Sequence, residues 1–292
     1  MSFWTQLLDV PHELRFVEAG GVRTRVLRGG EGETVIMLHG ISGHLEAFIP
    51  TFGLHAEHFD VHAIDMLGHG YTGRPEGNYT VARLADHVIA YLDAIGVERA
   101  HVVGISQGGW TAGYLAAEHP DRVKRITMIA APGNPGMGTE VVRDLVVGST
   151  TQAVLSEDRE DTLQRLTGLV YDASTVGDEM IDVRFGIYHT SEFRRALPQI
   201  LSTAEPEFYQ RDMLSIERLQ SIKAEVLLVW SEQDAYQDLM GGVYFDENLP
   251  HSKLVVLDRT GHWPPYERPA DFARINTAFL SEGLDAVEAG IQ

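Results

Sequence analysis

The chain contains no cysteine, which excludes disulfides, thiolate metal sites and a cysteine nucleophile. It is also poor in positive charge: 23 Lys and Arg stand against 42 Asp and Glu, a formal net charge of −19. Nucleic acid and anionic membranes both need a basic face, so neither is expected as a partner. The charge itself reads as a well-solvated acidic surface. No apolar run approaches the length of a membrane span. The opening stretch "MSFWTQLLDVPHELRF" lacks a basic segment followed by an apolar one, so no signal peptide is expected. A soluble, cytoplasmic protein is the expectation. Repeats, low-complexity tracts, a Walker loop and the dinucleotide-binding glycine fingerprint are also missing.

What is there is a chain of 292 residues, 44% hydrophobic and 22% charged. That is ordinary globular composition, long enough for one large domain with room for an insertion. "LRFVEAGGVRTRVLRGG" predicts two strands turned at Ala19-Gly20-Gly21. Further strand-like runs are 34–38, 61–64, 101–103, 126–130, 225–230 and 254–257. Amphipathic stretches such as "TVARLADHVIAYLDAIG" and "GGWTAGYLAAEH" separate several of them. This alternation predicts an α/β fold with a mostly parallel central sheet flanked by helices. From 133 to 219 the patterns are helical only. That block predicts a helical cap inserted into a core formed by 1–132 and 220–292, with ordinary helices of a larger core as the alternative.

Gly104-Ile105-Ser106-Gln107-Gly108 follows a strand and precedes an Ala- and Gly-rich helix. Glycine is entropically costly in an ordered segment, so the motif is either a tight corner or the frame of a nucleophile. The strand–turn–helix context favours a serine nucleophile at Ser106. Serine needs a base. His39, His69, His101, His119, His251 and His262 all stand near element ends. His262, after the last strand in "VVLDRTGHWPPYERP", is placed to reach over the sheet edge to Ser106; the plainer reading is a turn histidine packed on Trp263. "EVLLVWSEQDAYQ" offers Glu232, Asp234 and Asp238 as the orienting carboxylate. Asp234, in the turn leaving the strand, is favoured, with a helix cap as its plainer role.

Oxyanion donors are expected from the backbone N–H of Gln107 and of Ile41, the latter in "HGISGHLEAF". His39 and Gly40 keep that loop small. In "DMLGHGYT", Asp65, Gly68 and Gly70 read as a structural turn. His55-x-x-His58 reads as two surface histidines rather than a metal site, since no matching carboxylate set appears. No metal or cofactor is expected.

HG after one strand, D-x-x-G-x-G after the next, G-x-S-x-G, a late Asp and a final GH resemble the α/β-hydrolase pattern over nearly the whole chain. Serine as nucleophile separates it from haloalkane dehalogenases and epoxide hydrolases. Within the superfamily the chain looks most like the meta-cleavage product hydrolases, which cleave a C–C bond in 2-hydroxy-6-oxo-2,4-dienoates of aromatic catabolism. "GLVYDASTVGDEMIDVRFGIY" resembles the cap helix whose arginine, here Arg184, meets the substrate carboxylate. "GHWPPYE" resembles the segment whose tryptophan, here Trp263, lines the pocket. Gly40, Ser42 and Ile105 complete the residues expected at the substrate.

Two positions depart from the family: HGISGH stands where HGGGPG is common, and Ile105 stands where asparagine is common. Isoleucine cannot donate a hydrogen bond from its side chain. The resemblance implies a small-molecule substrate carrying a carboxylate, no cofactor, and self-association. The same triad on a small hydrophobic ester, as a carboxylesterase or lactonase, is the alternative. A ligand-binding protein with a vestigial triad is the third reading.

Overall fold

The computed structural model describes residues 2–135, 140–288 and 290–291. β1 (His12–Ala19) and β2 (Val22–Gly29) form the opening hairpin. Its turn is Gly20-Gly21 alone, with φ of +57° and +80°, the left-handed pair that a two-residue hairpin loop favours. Ala19 therefore stays in β1, paired with Val22. β3 (Thr34–Leu38), β4 (Asp60–Ile64), β5 (Ala100–Ile105), β6 (Val123–Ile129), β7 (Glu225–Ser231) and β8 (Ser252–Leu257) are parallel. A short β9 (Gly290–Ile291) pairs with β8. The sheet order is β1-β2-β4-β3-β5-β6-β7-β8-β9, with β2 antiparallel to β4. The run expected at 126–130 begins earlier and ends earlier, because Ala130 leaves the strand with φ of +44°.

The helices before β6 are α1 (Ile49–Ala56), α2 (Val81–Ala94) and α3 (Gln107–Glu118). Between β6 and β7 come α4 (Glu140–Leu155), α5 (Arg159–Thr167), α6 (Asp178–Tyr188), α7 (Ser191–Leu201), α8 (Pro206–Asp212) and α9 (Ile216–Ser221). α10 (Leu239–Asn248), α11 (Pro264–Glu267) and α12 (Pro269–Glu282) follow β7. Among the described residues the stretch between β6 and β7 holds no strand.

Two apolar clusters lie on opposite faces of the sheet, and β3 shows why. Ile36 and Leu38 join the cluster with Leu84 and Val88 of α2 and Leu115 of α3. Val35 and Met37 join the other, with Phe52 of α1 and Phe272 and Phe279 of α12. Successive strand side chains point to opposite faces, and both faces are covered. β5 is buried at all six positions, as expected for an apolar run in a parallel sheet. No helix among the described residues is long and apolar enough to cross a membrane.

Candidate active site

Ser106 sits between β5 and α3 with φ +54° and ψ −121°, a backbone conformation that costs a non-glycine residue free energy. Its glycine neighbours are required by contact. A Cβ on Gly104 would lie 2.1 Å from the Gly108 carbonyl oxygen, and one on Gly108 would lie 2.1 Å from that of Leu38. The corner therefore packs three backbone segments where no side chain fits. Ser106 precedes α3 without capping it, and its side chain faces a cavity. The Gln107 N–H, at the start of α3, has no carbonyl one turn back to bond. Helix geometry also directs positive dipole toward this point.

Asp234 carries a fully buried side chain, and its Oδ2 lies 2.8 Å from His262 Nδ1. Its Oδ1 accepts from the backbone N–H groups of Tyr236 (2.7 Å) and Gln237 (3.1 Å). The two competing acids lie elsewhere: Glu232 is exposed, and Asp238 caps α10 by accepting from Met240 N. The loop carrying His262 is tied to the segment after α5. His262 N–H donates to the Leu169 carbonyl at 2.8 Å. The Glu267 carboxylate accepts from Gly261 N at 3.0 Å, Trp263 N at 3.1 Å and Tyr171 N at 2.6 Å. Burial raises the Glu267 carboxyl above its ordinary range, against the pull of those N–H groups.

Glu267→Ala is expected to destabilise the protein by about 2–3 kcal/mol, because three N–H groups lose a charged acceptor. Denaturant unfolding would measure it, and an unchanged midpoint would mean that the loop is held without this carboxylate.

The loop after β3 is fixed by a neutral histidine. His39 Nδ1 donates to the Gly40 carbonyl (2.8 Å), and its Nε2 accepts from Met66 N (3.0 Å). Burial, with His69 next in weight, pushes its pKa well below the usual value. Gly43 N–H closes onto the Gly40 carbonyl at 2.9 Å, with Ser42 at φ +56°. A Cβ on Gly40 would lie 3.2 Å from that of Ser106, so glycine keeps the space beside the hydroxyl open. Asp65 accepts from Leu45 N and Tyr71 N, and a Cβ on Gly70 would lie 2.0 Å from its carboxylate. That D-x-x-G-x-G segment is thus a structural turn.

Two cavities meet at Ser106 and His262. One has a volume of about 200 Å³ and the other about 40 Å³. They share Ile41, Ser106, Arg165, Leu169 and His262. Gly40, Ile105, Arg184 and Trp263 line only the smaller, while Gln107, Trp110, Tyr209 and Tyr236 line only the larger. Arg184 is buried on α6. Its Nη1 donates to the Ser42 carbonyl (3.1 Å) and the Tyr188 hydroxyl (3.2 Å), while its Nε has no partner. Trp263 stacks on Tyr266 with ring centroids 4.6 Å apart.

Ser42 corrects the expectation that it meets substrate. It lines neither cavity; its Oγ lies 2.9 Å from the Tyr188 hydroxyl and its carbonyl holds Arg184. Burial alone would raise the Tyr188 hydroxyl, but the Arg184 and Arg165 cations outweigh it and hold it below its ordinary value. His55 is a second correction. It is fully buried rather than on the surface, donating to the Thr51 carbonyl from Nδ1 and accepting at Nε2 from Asn276 Nδ2 (2.9 Å), while His58 is exposed. Among the described residues no cluster of metal-ligating side chains is present. Arg165, Tyr188, Tyr236 and Glu267 had no signal of their own in the sequence pattern, although Glu267 lies within the GHWPPYE segment.

A strand–helix serine, a buried acid on a histidine, and a parallel sheet presenting both at one edge describe an α/β hydrolase. The family described as alpha/beta hydrolase fold matches residues 33–269, and the chain belongs to it. Its relatives include the 2-hydroxy-6-oxo-6-(2'-aminophenyl)hexa-2,4-dienoic acid hydrolase of Metapseudomonas resinovorans, 29% identical over 94% of this chain and 93% of that protein. The 2-hydroxymuconate semialdehyde hydrolase of Pseudomonas putida is 29% identical over 92% of this chain and 94% of its own length. Among solved structures, a meta-cleavage product hydrolase from Pseudomonas fluorescens IP01 superposes with a TM-score of 0.80 at 29% identity, covering 94% of this chain and 99% of that one. The chain is therefore an α/β hydrolase similar to C–C bond hydrolases.

Proposed function

We propose that this enzyme hydrolyses a C–C bond in a 2-hydroxy-6-oxo-2,4-dienoate. The observation that carries the reading is Arg184: a buried cation with no carboxylate partner among the described residues, on the same small cavity as Ser106 and His262. A substrate carboxylate would supply the missing partner as a charge-assisted pair in a poorly solvated site. The helices between β6 and β7 then act as a cap that brings Arg184 and Leu169 over the sheet edge. Trp263 and the side chain of Ile105 wall the dienoate.

In this reading Ser106 is the nucleophile, His262 the base and Asp234 the group that holds the imidazole in the useful tautomer. The dienol is first ketonised with help from His262. Ser106 Oγ then gives its proton to His262 Nε2 and attacks the C6 carbonyl carbon. The N–H groups of Ile41 and Gln107 receive the developing oxyanion. As the C5–C6 bond breaks, its electron pair stays on C5, which takes the proton back from His262. Water, deprotonated by His262, cleaves the acyl-serine and releases a carboxylic acid.

The test is ultraviolet-visible turnover of 6-alkyl and 6-aryl dienoates beside p-nitrophenyl acetate and butyrate, with Ser106→Ala as the blank. Arg184→Gln is expected to lower kcat/KM on the dienoates about 30-fold or more, mainly through KM, since it removes a charge-assisted contact. The esters should be indifferent to it. Brisk ester turnover with inert dienoates would instead make this a carboxylesterase or lactonase.

A further inference from the structure

Three arginines are buried among the described residues: Arg25, Arg165 and Arg184. Arg25 has its counter-charges built in, with Nη2 2.5 Å from Glu46 and Nη1 3.3 Å from Asp65. Arg165 has none. Its Nη1 donates to the Tyr236 hydroxyl at a long 3.3 Å, its Nε has no partner, and its guanidinium lies 5.4 Å over the Tyr236 ring. A buried cation without a counter-charge is costly. A chain that pairs Arg25 twice, and carries 42 acidic residues, has left this position open.

Its location says what for. Arg165 lines both cavities, whereas Arg184 lines only the smaller, and Ser106 and His262 lie where the two meet. The other arginine on the larger cavity, Arg143, already bonds Asp144. Most of the remaining wall, including Trp110, Pro132, Val146 and Tyr209, is apolar and suits a short methylene chain, with Thr203, Gln210 and Gln237 among its uncharged polar members.

We propose that Arg165 is a second anion-binding residue and that the substrate is a dicarboxylate, with one carboxylate on Arg184 and the other, on the ketone-side substituent, on Arg165. The naming of a dienoate rests on the C–C hydrolase reading above; the second anion site rests on the two unpaired arginines. Arginine stays cationic and offers a planar fork that matches a carboxylate.

Two measurements on the full chain separate these claims. In the first, calorimetry compares nonanedioate with nonanoate. The diacid should bind wild type about 30-fold more tightly, the gain from one charge-assisted contact, and Arg165→Gln should erase that advantage. Arg165→Lys, which keeps the charge, should retain part of it. In the second, kcat/KM is measured on 2-hydroxy-6-oxonona-2,4-diene-1,9-dioate and on its propyl-ketone counterpart, which lacks the second carboxylate. Their ratio should fall about 30-fold in Arg165→Gln. Equal binding of the two acids by wild type, or equal loss on both dienoates in Arg165→Gln, overturns the second anion site. A diacid advantage with neither dienoate cleaved keeps the dianion site and removes the C–C reaction. No diacid advantage with neither cleaved removes both.

Discussion

Replacing Ser106 by alanine is expected to lower dienoate turnover by a factor on the order of 10⁶, the scale seen when a serine nucleophile is removed. The fold should be untouched. Ser106 makes no side-chain cap, and alanine keeps the Cβ, so the strained φ of +54° costs the variant no more than the parent. Substrate binding should survive, because Arg184, Trp263 and the cavity walls are unchanged. Asp234→Asn should cost on the order of 10⁴ in kcat for a reason visible in the hydrogen bonds. Oδ1 of Asp234 accepts two backbone N–H groups, so an asparagine must place its oxygen there and turn its NH₂ toward His262 Nδ1. That nitrogen then has to accept, the ring proton moves to Nε2, and the base can no longer take a proton from Ser106. Single-turnover bleaching of the dienoate measures both variants. A Ser106→Ala enzyme within about tenfold of the parent would remove the nucleophile role, and an active Asp234→Asn would remove the tautomer argument.

The fold was legible because its signals are local. Apolar β-branched runs between amphipathic segments place six parallel strands to within a few residues, and the spacing of the glycines around Ser106 marks a corner. Asp234 and His262 could be picked because each follows a strand and their chain order is restrictive. Other features are set by tertiary contact and leave no such trace. α5, "REDTLQRLT", reads as a solvated helix, and nothing in its pattern says that Arg165 alone among its charges turns inward beside Leu166. Glu267 acts on backbone N–H groups, which no residue pattern announces. His55 looked superficial because its partner, Asn276, lies 221 residues away. Ser42 fell in the right loop, but its left-handed φ turns it to Tyr188 rather than to the cavity.

Buried neutral histidines make the last expected effect a large one: the protein should lose much of its stability between pH 7 and pH 5. Burial pushes His44, His55, His69 and His87 down to about 4 from an ordinary 6.5, and His39 well below it. The geometry agrees, since Nε2 of His39 and of His55 already accepts a hydrogen bond and has no room for a proton. Above pH 6.5 both states hold these rings neutral and nothing is lost. Below it the unfolded chain takes up protons that the folded one refuses, so stability falls until the pH reaches the folded values. At pH 5 each ring held near 4 contributes a loss of roughly 2 kcal/mol. Four of them approach the whole stability of a typical domain, about 5–15 kcal/mol. Asp65, raised to about 6 chiefly by burial, and Glu267, also raised by burial, run the other way and gain stability as the pH falls, but they are two groups against several. Ordinary surface carboxylates titrate mostly lower, near 4, and do not offset the loss in this window. Urea unfolding at pH 7.5, 6.5, 5.5 and 5.0 should show the steepest decline below 6.5, and His87→Gln should make that decline shallower. A midpoint that stays flat from pH 7.5 to 5.0 would mean that the buried rings accept protons in place.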